Sequence, residues 1–309
     1  MKTTLNQVIF EFNVMMKSCF GLLFLSLFLS TFLSFGQRVI VVQSDSTYID
    51  SIKNFEYQLE GLSYNIINGT DKVERITSCY YFIETLKNTL QIPNSFDYEF
   101  ELLKTVSSIR SEDDKFRIFT WNLLLDSGKY MYFGAIQMNN PDSLELYGLY
   151  DSSDYNKDIF YGQFDNRHWM GALVYQIHHY RWKKQDYYIT FGWDGQDAKT
   201  NRKIIDVLWF NDKGKPNFGE EIFDFDGDLQ SRIIFDFNDR AAMLCRYDDF
   251  EDAIVFSNLV PINPMMKGIY QNYVPDGTYD YLKFEKGIWR RYKMIFDDRK
   301  KNGTNLRKL

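Results

Sequence analysis

The sequence from Tyr187 to Phe256 reads YYITFGWDGQ DAKTNRKIID VLWFNDKGKP NFGEEIFDFD GDLQSRIIFD FNDRAAMLCR YDDFEDAIVF. It alternates short runs of aromatic and β-branched residues with turn sequences such as Asp194-Gly195 and Asp226-Gly227. Short runs of this kind, closed by Asp-Gly or another glycine-bearing turn, are typical of antiparallel hairpins. The stretch therefore predicts an antiparallel meander. Its predicted strands are Tyr187–Trp193, Lys203–Phe210, Glu221–Phe225, Arg232–Phe237 and Ala241–Tyr247.

The same pattern continues on both sides of this stretch. Further predicted strands are Phe116–Leu125, Tyr130–Met138, Ser143–Tyr150, Trp169–Tyr180, Ala253–Phe256 and Tyr279–Glu285. The Asp126–Lys129 connection contains a glycine and has the length of a hairpin turn. We therefore expect about ten antiparallel strands over residues 113–290. The expected core positions are Ile205, Val207, Phe223, Phe225, Ile234, Met243 and Val255.

Two helices are predicted ahead of these strands. In Asp71–Leu90 apolar residues recur at helical spacing opposite charged side chains, and Pro93 follows shortly after. The second predicted helix is Phe96–Arg110, and Arg38–Gln43 is predicted to form the first strand. The four residues that share one face of the second helix are Phe96, Phe100, Leu103 and Val106. Helices followed by a run of strands indicate an α+β, β-dominated fold, with an N-terminal helical part over 37–112 and a polar, basic tail over 291–309.

Residues 1–36 have the features of a secretory signal peptide. The apolar run Phe20–Phe35 follows Lys17, and the small residues Ser34 and Gly36 stand at the positions that signal peptidase requires. The run is shorter than the roughly 20 residues that a membrane-spanning helix needs. The sequence therefore predicts export, with a retained membrane anchor as the alternative.

Composition narrows the classes of function. Aromatic residues make up 18% of the 309 residues, which favours sheet, and 45% apolar residues allow a substantial core. The net charge of −6 argues against nucleic-acid binding, which depends on a basic surface. The three cysteines are Cys19, Cys79 and Cys245, too few for a disulfide framework. We expect Cys79 and Cys245 to be buried thiols, although one bridge between them is also compatible with the sequence.

A short acidic motif is the first candidate site. Asp224, Asp226 and Asp228 alternate in a way that could direct three carboxylates at one calcium ion, the one cofactor for which the sequence offers a candidate. The motif lacks two features of a calcium loop, because Leu229 replaces the glycine and Phe235 replaces the final glutamate. A hairpin turning at Asp226-Gly227 is the favoured interpretation.

Tryptophans form the second candidate site. Trp169, Trp182 and Trp193 could stack on the apolar faces of a glycan, although aromatic residues at alternating positions more often fill the core of a sheet. His178 and His179 would face opposite sides of a strand, so they are not expected to bind one metal ion together.

Motifs for catalysis are weak. The chain contains neither a Gly-x-Ser-x-Gly elbow nor a glycine-rich phosphate loop. Paired acids such as Asp248-Asp249 and Glu251-Asp252 are frequent, as expected of an acidic chain. The sequence therefore identifies no catalytic residue.

Three stretches resemble a set of uncharacterised secreted proteins of Bacteroidota. They are Tyr187–Gly195, Lys203–Gly219 and Val274–Asp280, and the Ser-Phe-Gly-Gln end of the signal segment is also similar. The resemblance implies export and a shared β scaffold. It implies no activity and no catalytic residues.

The sequence as a whole favours an exported periplasmic or outer-membrane-associated protein with a structural or protein-interaction role rather than an enzyme. The alternatives are a glycan-binding module that uses exposed aromatic residues and a hydrolase that uses paired acids. The expected partner is an envelope protein or a glycan. Contact with a membrane is expected only if the apolar segment is not cleaved.

Overall fold

A computed structural model describes residues 45–125 and 128–297, which form two helices followed by sixteen strands. The helices are α1, Asp45–Asn68, and α2, Lys72–Leu90. The strands are β1 Ser107–Arg110, β2 Phe116–Leu124, β3 Tyr130–Met138, β4 Leu146–Tyr150, β5 Phe164–Asp165, β6 Leu173–Trp182, β7 Gln185–Asp194, β8 Thr200–Phe210, β9 Pro216–Phe218, β10 Phe223–Phe225, β11 Asp228–Gln230, β12 Ile233–Asn238, β13 Cys245–Asp248, β14 Ala253–Pro261, β15 Tyr273–Glu285 and β16 Ile288–Asp297. The predicted α+β, β-dominated class is therefore confirmed.

The strands are distributed over three sheets instead of one continuous meander. The first sheet has the order β1-β2-β3-β4, and the third has the order β11-β10-β16-β15-β14-β13. The central sheet has the order β5-β9-β8-β7-β6, and β12 also pairs with β8. Neighbouring strands are antiparallel except β10 and β16, which are parallel. Consecutive strands form antiparallel hairpins from β6 to β8 and from β13 to β16. Between these two runs the meander is interrupted, because β9 and β12 both pair with β8.

The helices and the three sheets pack as successive layers. Along β2, Phe119 and Trp121 pack with the helices, whereas Phe116 and Ile118 pack against the central sheet. This alternation follows from the two-residue period of a strand. Both faces of the first sheet are therefore in contact with another layer.

The central sheet is likewise covered on both faces. Tyr188 and Leu208 pack towards the first sheet, and Ile189 and Val207 pack towards the third. Five of the expected core positions are buried: Ile205, Val207, Phe223, Met243 and Val255. Phe225 and Ile234 are only partly buried.

The Asp-Gly turns lie where the sequence predicts them. Phe225 pairs with Asp228, so Asp226 and Gly227 form a two-residue loop, with φ values of 60° and 90°. Two consecutive positive φ values are typical of the type I′ hairpin turn. The Asp194-Gly195 sequence begins the connection of the β7–β8 hairpin.

The predicted helix over Phe96–Arg110 is wrong. Its four apolar residues are buried, but the backbone forms a short 3₁₀ turn, irregular turns and strand β1. The Arg117 guanidinium, itself buried, donates to the carbonyl oxygens of Ser95 and Tyr98, and the Glu56 carboxylate accepts from Leu102 N at 2.8 Å. These side chains satisfy backbone groups that a helix would have paired internally.

Helix α1 was not predicted, because polar residues interrupt its buried face. Ile52, Leu59 and Ile66 recur every seven residues and are buried, but Glu56 and Ser63 lie between them and are buried too. Glu56 accepts hydrogen bonds from Leu102 N and the Tyr98 hydroxyl, which makes its burial tolerable.

Strand β16 also differs from the sequence-based expectation, because residues 291–297 of the predicted tail belong to it. The predicted signal peptide, the strand predicted at Arg38–Gln43 and the rest of the tail lie outside the described residues. Within those residues, no helix combines the length and the apolar character that crossing a bilayer requires.

The two described cysteines are free and buried, as expected. Cys79 lies among the helices, and Cys245 lies in the core between the central and third sheets. Burial raises the pKa of each thiol to about 12, so both are protonated and unreactive near neutral pH.

Substitution of two glycines tests whether the β10–β11 turn needs a positive φ, because an added methyl group clashes with no neighbour at either position. A Cβ atom added to Gly61 or to Gly227 meets no heavy atom within 4 Å. Gly61 lies within α1, so Gly61→Ala is expected to raise the free energy of unfolding by roughly 0.5–1 kcal/mol. Gly227→Ala is expected to lower it by about 1–2 kcal/mol, because an alanine at positive φ is strained. Denaturant unfolding measures both changes. A stabilising Gly227→Ala would contradict the type I′ turn.

Candidate functional site

The three aspartates of the candidate calcium motif do not form a common group of ligands. Asp224 pairs with Arg290, and Asp226 Oδ2 lies 2.8 Å from an Nη1 atom of Arg291. Asp228 accepts a hydrogen bond of 2.8 Å from the hydroxyl of a tyrosine in the β4–β5 connection, Tyr161. Each carboxylate thus has a different partner, and two of the partners are cations. The geometry is that of a hairpin tied to β16 by ion pairs.

The three candidate tryptophans do not form an exposed face. Trp169 is buried, and Trp182 and Trp193 are half-buried. Trp182 packs edge-on against Phe284 and Trp193 against Tyr130, so their rings lie in different places against different layers. No tryptophan of the described chain is among its exposed large apolar residues. The arrangement is that of packing residues.

A cluster that the sequence did not predict combines an imidazole with two carboxylates. His179 Nε2 lies 3.2 Å from Asp186 Oδ1 and 3.7 Å from Asp113 Oδ2. This donor set is one that divalent transition metals accept. However, the Lys115 ammonium bonds to Asp186 and lies 3.6 Å from Asp113, so a lysine already compensates the two carboxylates. Burial alone would raise the pKa of Asp186, but hydrogen bonds from Lys115 and His179 hold it below its usual value.

A second acidic group surrounds a small cavity of about 140 Å³ beside the β7–β8 turn. Asp194 is buried there and accepts a hydrogen bond of 2.8 Å from Gln196 N. Burial raises the pKa of Asp194 to about 6, and the negative charge of Asp151 adds to the effect. The Arg202 charge acts in the opposite direction, but Arg202 makes its two hydrogen bonds to Asp236. Asp194 is therefore a carboxyl group that gains a proton near pH 6.

A larger cavity is an open cleft of about 720 Å³ between two edge strands, β6 of the central sheet and β13 of the third. Its volume falls in the range typical of small-molecule sites. The lining residues are Tyr175, Gln176, Lys203, Met243, Leu244, Cys245, Arg246, Tyr247, Asp248, Asp249 and Phe250. Strand β8 contributes Lys203, and the turn after β13 contributes Asp249 and Phe250.

Side chains of β6 hold the backbone of β13 in the cleft. The Gln176 carboxamide donates to Tyr247 O at 3.1 Å and accepts from Tyr247 N at 2.9 Å. The Tyr175 hydroxyl donates to Cys245 O at 2.6 Å. The two sheets are therefore joined along the floor of the cleft by fixed polar contacts.

Two cationic side chains line this cleft with incomplete partners. The Lys203 ammonium lies 3.9 Å from the centroid of the Tyr175 ring, and no carboxylate of a described residue is within 4.0 Å of it. Arg246 bonds to Asp248 through Nη2 at 2.8 Å, but its Nε is buried without an acceptor. Burial of the Lys203 side chain lowers the pKa of its ammonium.

A separate feature is the tip of the β14–β15 hairpin, residues 262–272. Residues 264–270 are all exposed, and Met265 is 87% exposed and Ile262 64% exposed. The apolar residues exposed at the tip also include Met266, Ile269 and Tyr270. Sequence analysis did not identify this segment as a surface, because its periodicity is neither that of a helix nor that of a strand.

Comparisons with models of known protein families, with curated proteins and with solved structures found no match for this chain.

Asp194 makes the stability of the fold depend on pH. Its folded-state pKa of about 6 exceeds the ordinary value of 3.8, so the folded protein holds the proton more tightly than the unfolded chain does. The cost of ionising Asp194 is therefore absent below about pH 4, and it grows as the pH rises and is complete above about pH 6. Each unit of pKa difference corresponds to about 1.4 kcal/mol, which gives a cost of about 3 kcal/mol.

Asp194→Asn removes this cost and keeps an oxygen for Gln196 N. The variant is expected to be more stable than the wild type at pH 7.5 by about 2–3 kcal/mol and to differ little at pH 4. Asp197→Asn is a control, because Asp197 lies in the same turn but has a pKa held low by hydrogen bonds that outweigh its burial. Denaturant unfolding at the two pH values provides the measurement. An advantage of Asp194→Asn that is equal at both would refute the assignment.

Proposed function

We propose that this chain is an exported envelope protein with a non-enzymatic, protein-interaction role, and that it binds its partner through the tip of the β14–β15 hairpin. The observation that carries the proposal is the run of exposed apolar side chains from Ile262 to Tyr270. Monomeric proteins seldom expose clustered apolar surface unless it serves as an interaction site. The methionines add to this argument, because their flexible thioether side chains adapt to a partner surface.

The tip is ordered by its own hydrogen bonds. Ile262 N donates to Asn272 O at 2.9 Å, which closes the loop at its base. Met265 N donates to the Asn263 carboxamide at 3.0 Å, and Gly268 N donates to the Tyr273 hydroxyl at 3.0 Å. An apolar surface that is already fixed loses little conformational entropy when it binds. The preorganised tip therefore favours a specific partner.

The charge of the tip favours a protein partner over a lipid surface. Lys267 is the only charged residue between Ala253 and Pro275, and the whole chain carries a net charge of −6. Peripheral membrane attachment usually combines apolar residues with a cluster of basic ones, because inner leaflets are anionic. The complementary surface is an apolar groove with an acidic group on its rim to pair with Lys267.

The non-enzymatic part of the proposal is supported by how two of the described acidic clusters are paired. Lys115 compensates Asp113 and Asp186, and arginines of β16 compensate Asp224 and Asp226. Neither cluster presents two free carboxylates across an open cavity, as a hydrolase with paired acids requires.

Site-specific photo-crosslinking in the producing cells tests the tip. A photo-reactive phenylalanine analogue at position 265 is expected to give one adduct of discrete mass, and the adduct should disappear when Ile262→Asp and Ile269→Asp are also present. The same analogue at the exposed Tyr155 is the matched control, because that residue is 76% exposed but lies in another loop. Equal adducts at 155 and 265, or none at 265, would contradict the proposal.

Vesicle flotation separates a protein partner from a membrane. The purified chain is expected to remain in solution with vesicles of neutral or anionic phospholipid. If the chain floats with the vesicles and Met265→Asp abolishes flotation, the tip binds a lipid surface and not a protein.

Export has its own test, which does not involve the tip. The chain recovered from the envelope fraction is expected to begin at Gln37, the residue after the predicted cleavage position. Intact-mass measurement detects this. An uncleaved chain recovered in the cytoplasmic fraction would contradict export.

A further inference from the structure

We propose that Asp113, His179 and Asp186 bind a divalent transition metal ion such as zinc. The ion takes the place of the Lys115 ammonium, which lies between the two carboxylates. Each of the three residues supplies one ligand atom, and these atoms lie within 4.8 Å of one another. The site is separate from the hairpin tip and does not depend on its function.

The separations of the ligand atoms suit a single ion. His179 Nε2 lies 3.2 Å from Asp186 Oδ1 and 3.7 Å from Asp113 Oδ2. Zinc binds nitrogen and oxygen ligands at about 2.0–2.1 Å, so two ligands of a tetrahedral ion lie about 3.3–3.4 Å apart. The observed separations bracket this value, so small side-chain movements are enough to enclose an ion. Among the described residues, no second group of three histidine, cysteine, aspartate or glutamate side chains comes this close together.

The ligands come from two sheets. His179 lies on β6, and Asp186 lies diagonally opposite on the facing strand β7. Asp113 belongs to the turn between β1 and β2 of the first sheet. A bound ion therefore joins the first sheet to the central sheet.

Tyr188 orients two of the three ligands. Its buried hydroxyphenyl group donates to Asp113 Oδ2 at 2.8 Å, and its ring stacks on the His179 imidazole with the centroids 5.0 Å apart. Contacts of this kind around a metal site fix the orientation of the ligands. Burial would raise the pKa of Asp113, but hydrogen bonds from Tyr188 and Ser111 hold it below its usual value. The carboxylate is therefore ionised at neutral pH, as a metal ligand must be.

Lys115 shows that the site attracts a cation, and its ammonium is exchangeable. The ammonium bonds to Asp186 and lies 3.6 Å from Asp113 Oδ2. The Lys115 side chain is 48% exposed, and exposed ion pairs of this kind contribute little to stability, so the ammonium can move into water. Arg181 lies farther away, with its Nε 3.8 Å from Asp186 Oδ1, and its side chain is mostly exposed as well. A divalent ion carries twice the charge of the ammonium and binds the imidazole nitrogen as well as the carboxylates.

The chemistry of the donor set favours a transition metal over magnesium or calcium. One imidazole nitrogen and two carboxylate oxygens suit zinc, whereas magnesium and calcium prefer oxygen ligands alone. Coordination uses the lone pair of His179 Nε2, so the imidazole keeps its proton on Nδ1 and Lys115 stays protonated in water. The three ligand side chains are 16–21% exposed, so water can complete the coordination of the ion.

Parallel titrations of the unmodified full chain test the proposal. Isothermal calorimetry is expected to show saturable binding of one zinc ion per chain and at least hundredfold weaker binding of magnesium. No saturable binding at a tenfold molar excess of zinc, or equal affinity for zinc and magnesium, would overturn the proposal.

Histidine variants place the site. His179→Gln removes the nitrogen ligand and is expected to weaken zinc binding at least tenfold. His168→Gln is the matched control, because His168 is an exposed histidine that lies 2.7 Å from a single carboxylate, that of Asp165. If the two variants bind zinc equally well, the ion does not bind where we propose.

Lys115→Met tests the displacement. This variant keeps the aliphatic stem but removes the competing cation, so it is expected to bind zinc at least fivefold more tightly than the wild type. Unchanged or weaker binding would contradict the displacement, since it is the result expected of a purely structural lysine.

Unfolding midpoints with and without zinc show whether each variant is folded. Zinc is expected to raise the midpoint of the wild type and of Lys115→Met but not that of His179→Gln. If His179→Gln does not fold, Asp113→Asn replaces it, because this change removes a charge from the site but keeps an oxygen for the Tyr188 hydroxyl. The same tenfold loss of zinc affinity is expected, and wild-type affinity in Asp113→Asn would refute the site.

Discussion

The structure depends on a sheet that is covered on both faces. Because the first and third sheets both pack against the central sheet, polar groups on its strands have little access to water and need partners inside the protein. Asp206 on β8 and Arg232 just before β12 show this most clearly. Arg232 is fully buried, its Nε lies 3.0 Å from Asp206 Oδ2, and a second donor of its guanidinium bonds to Ile159 O. Removal of either partner would leave a buried charge alone, which typically costs 3–5 kcal/mol.

The same covering determines where binding can occur. The faces of the central sheet are used for packing, so the accessible features lie at its edges and beyond them. The cleft opens at the edge strand β6, and the apolar hairpin tip extends from the third sheet. These are also the places where cations or apolar groups lack complete partners, whereas the carboxylates of Asp113, Asp186, Asp224 and Asp226 are paired with cations.

The strands were predictable because their signal is local. Alternating apolar residues and Asp-Gly turns depend only on neighbours in sequence, so the bounds of β2 and β3 were predicted to within one residue and those of β7 and β8 to within three. The irregular segment before β1 was not predictable, because its shape is imposed by Arg117 and Glu56 from distant parts of the chain. Its four apolar residues stand at helical spacing and therefore suggested a helix. They are buried, but burial alone does not determine the conformation of the backbone.

The candidate sites were harder to predict from the sequence, because they too combine residues from distant parts of the chain. Lys203 and Arg246 line one cleft although 43 positions separate them in the numbering, because the central and third sheets pack together. The His179–Asp186 contact had a weak local signal, because the hairpin turn at Lys183-Lys184 places these residues diagonally across β6 and β7. The division of one apparent meander into three sheets required knowledge of long-range pairing, such as the parallel contact between β10 and β16.

The hydrogen bonds from the Gln176 side chain of β6 to the backbone of β13 have a consequence for solubility. Strand β13 is the outer strand of the third sheet, where an unpaired row of amides and carbonyls would invite another chain to add a strand. Gln176 occupies both hydrogen-bonding positions of Tyr247, as the peptide group of a neighbouring strand would, and the Tyr175 hydroxyl occupies the carbonyl of Cys245. The Gln176 side chain therefore takes the place of a further strand beside Tyr247. Another strand therefore cannot pair with Tyr247 without displacing Gln176, which disfavours edge-to-edge association at this point of the sheet.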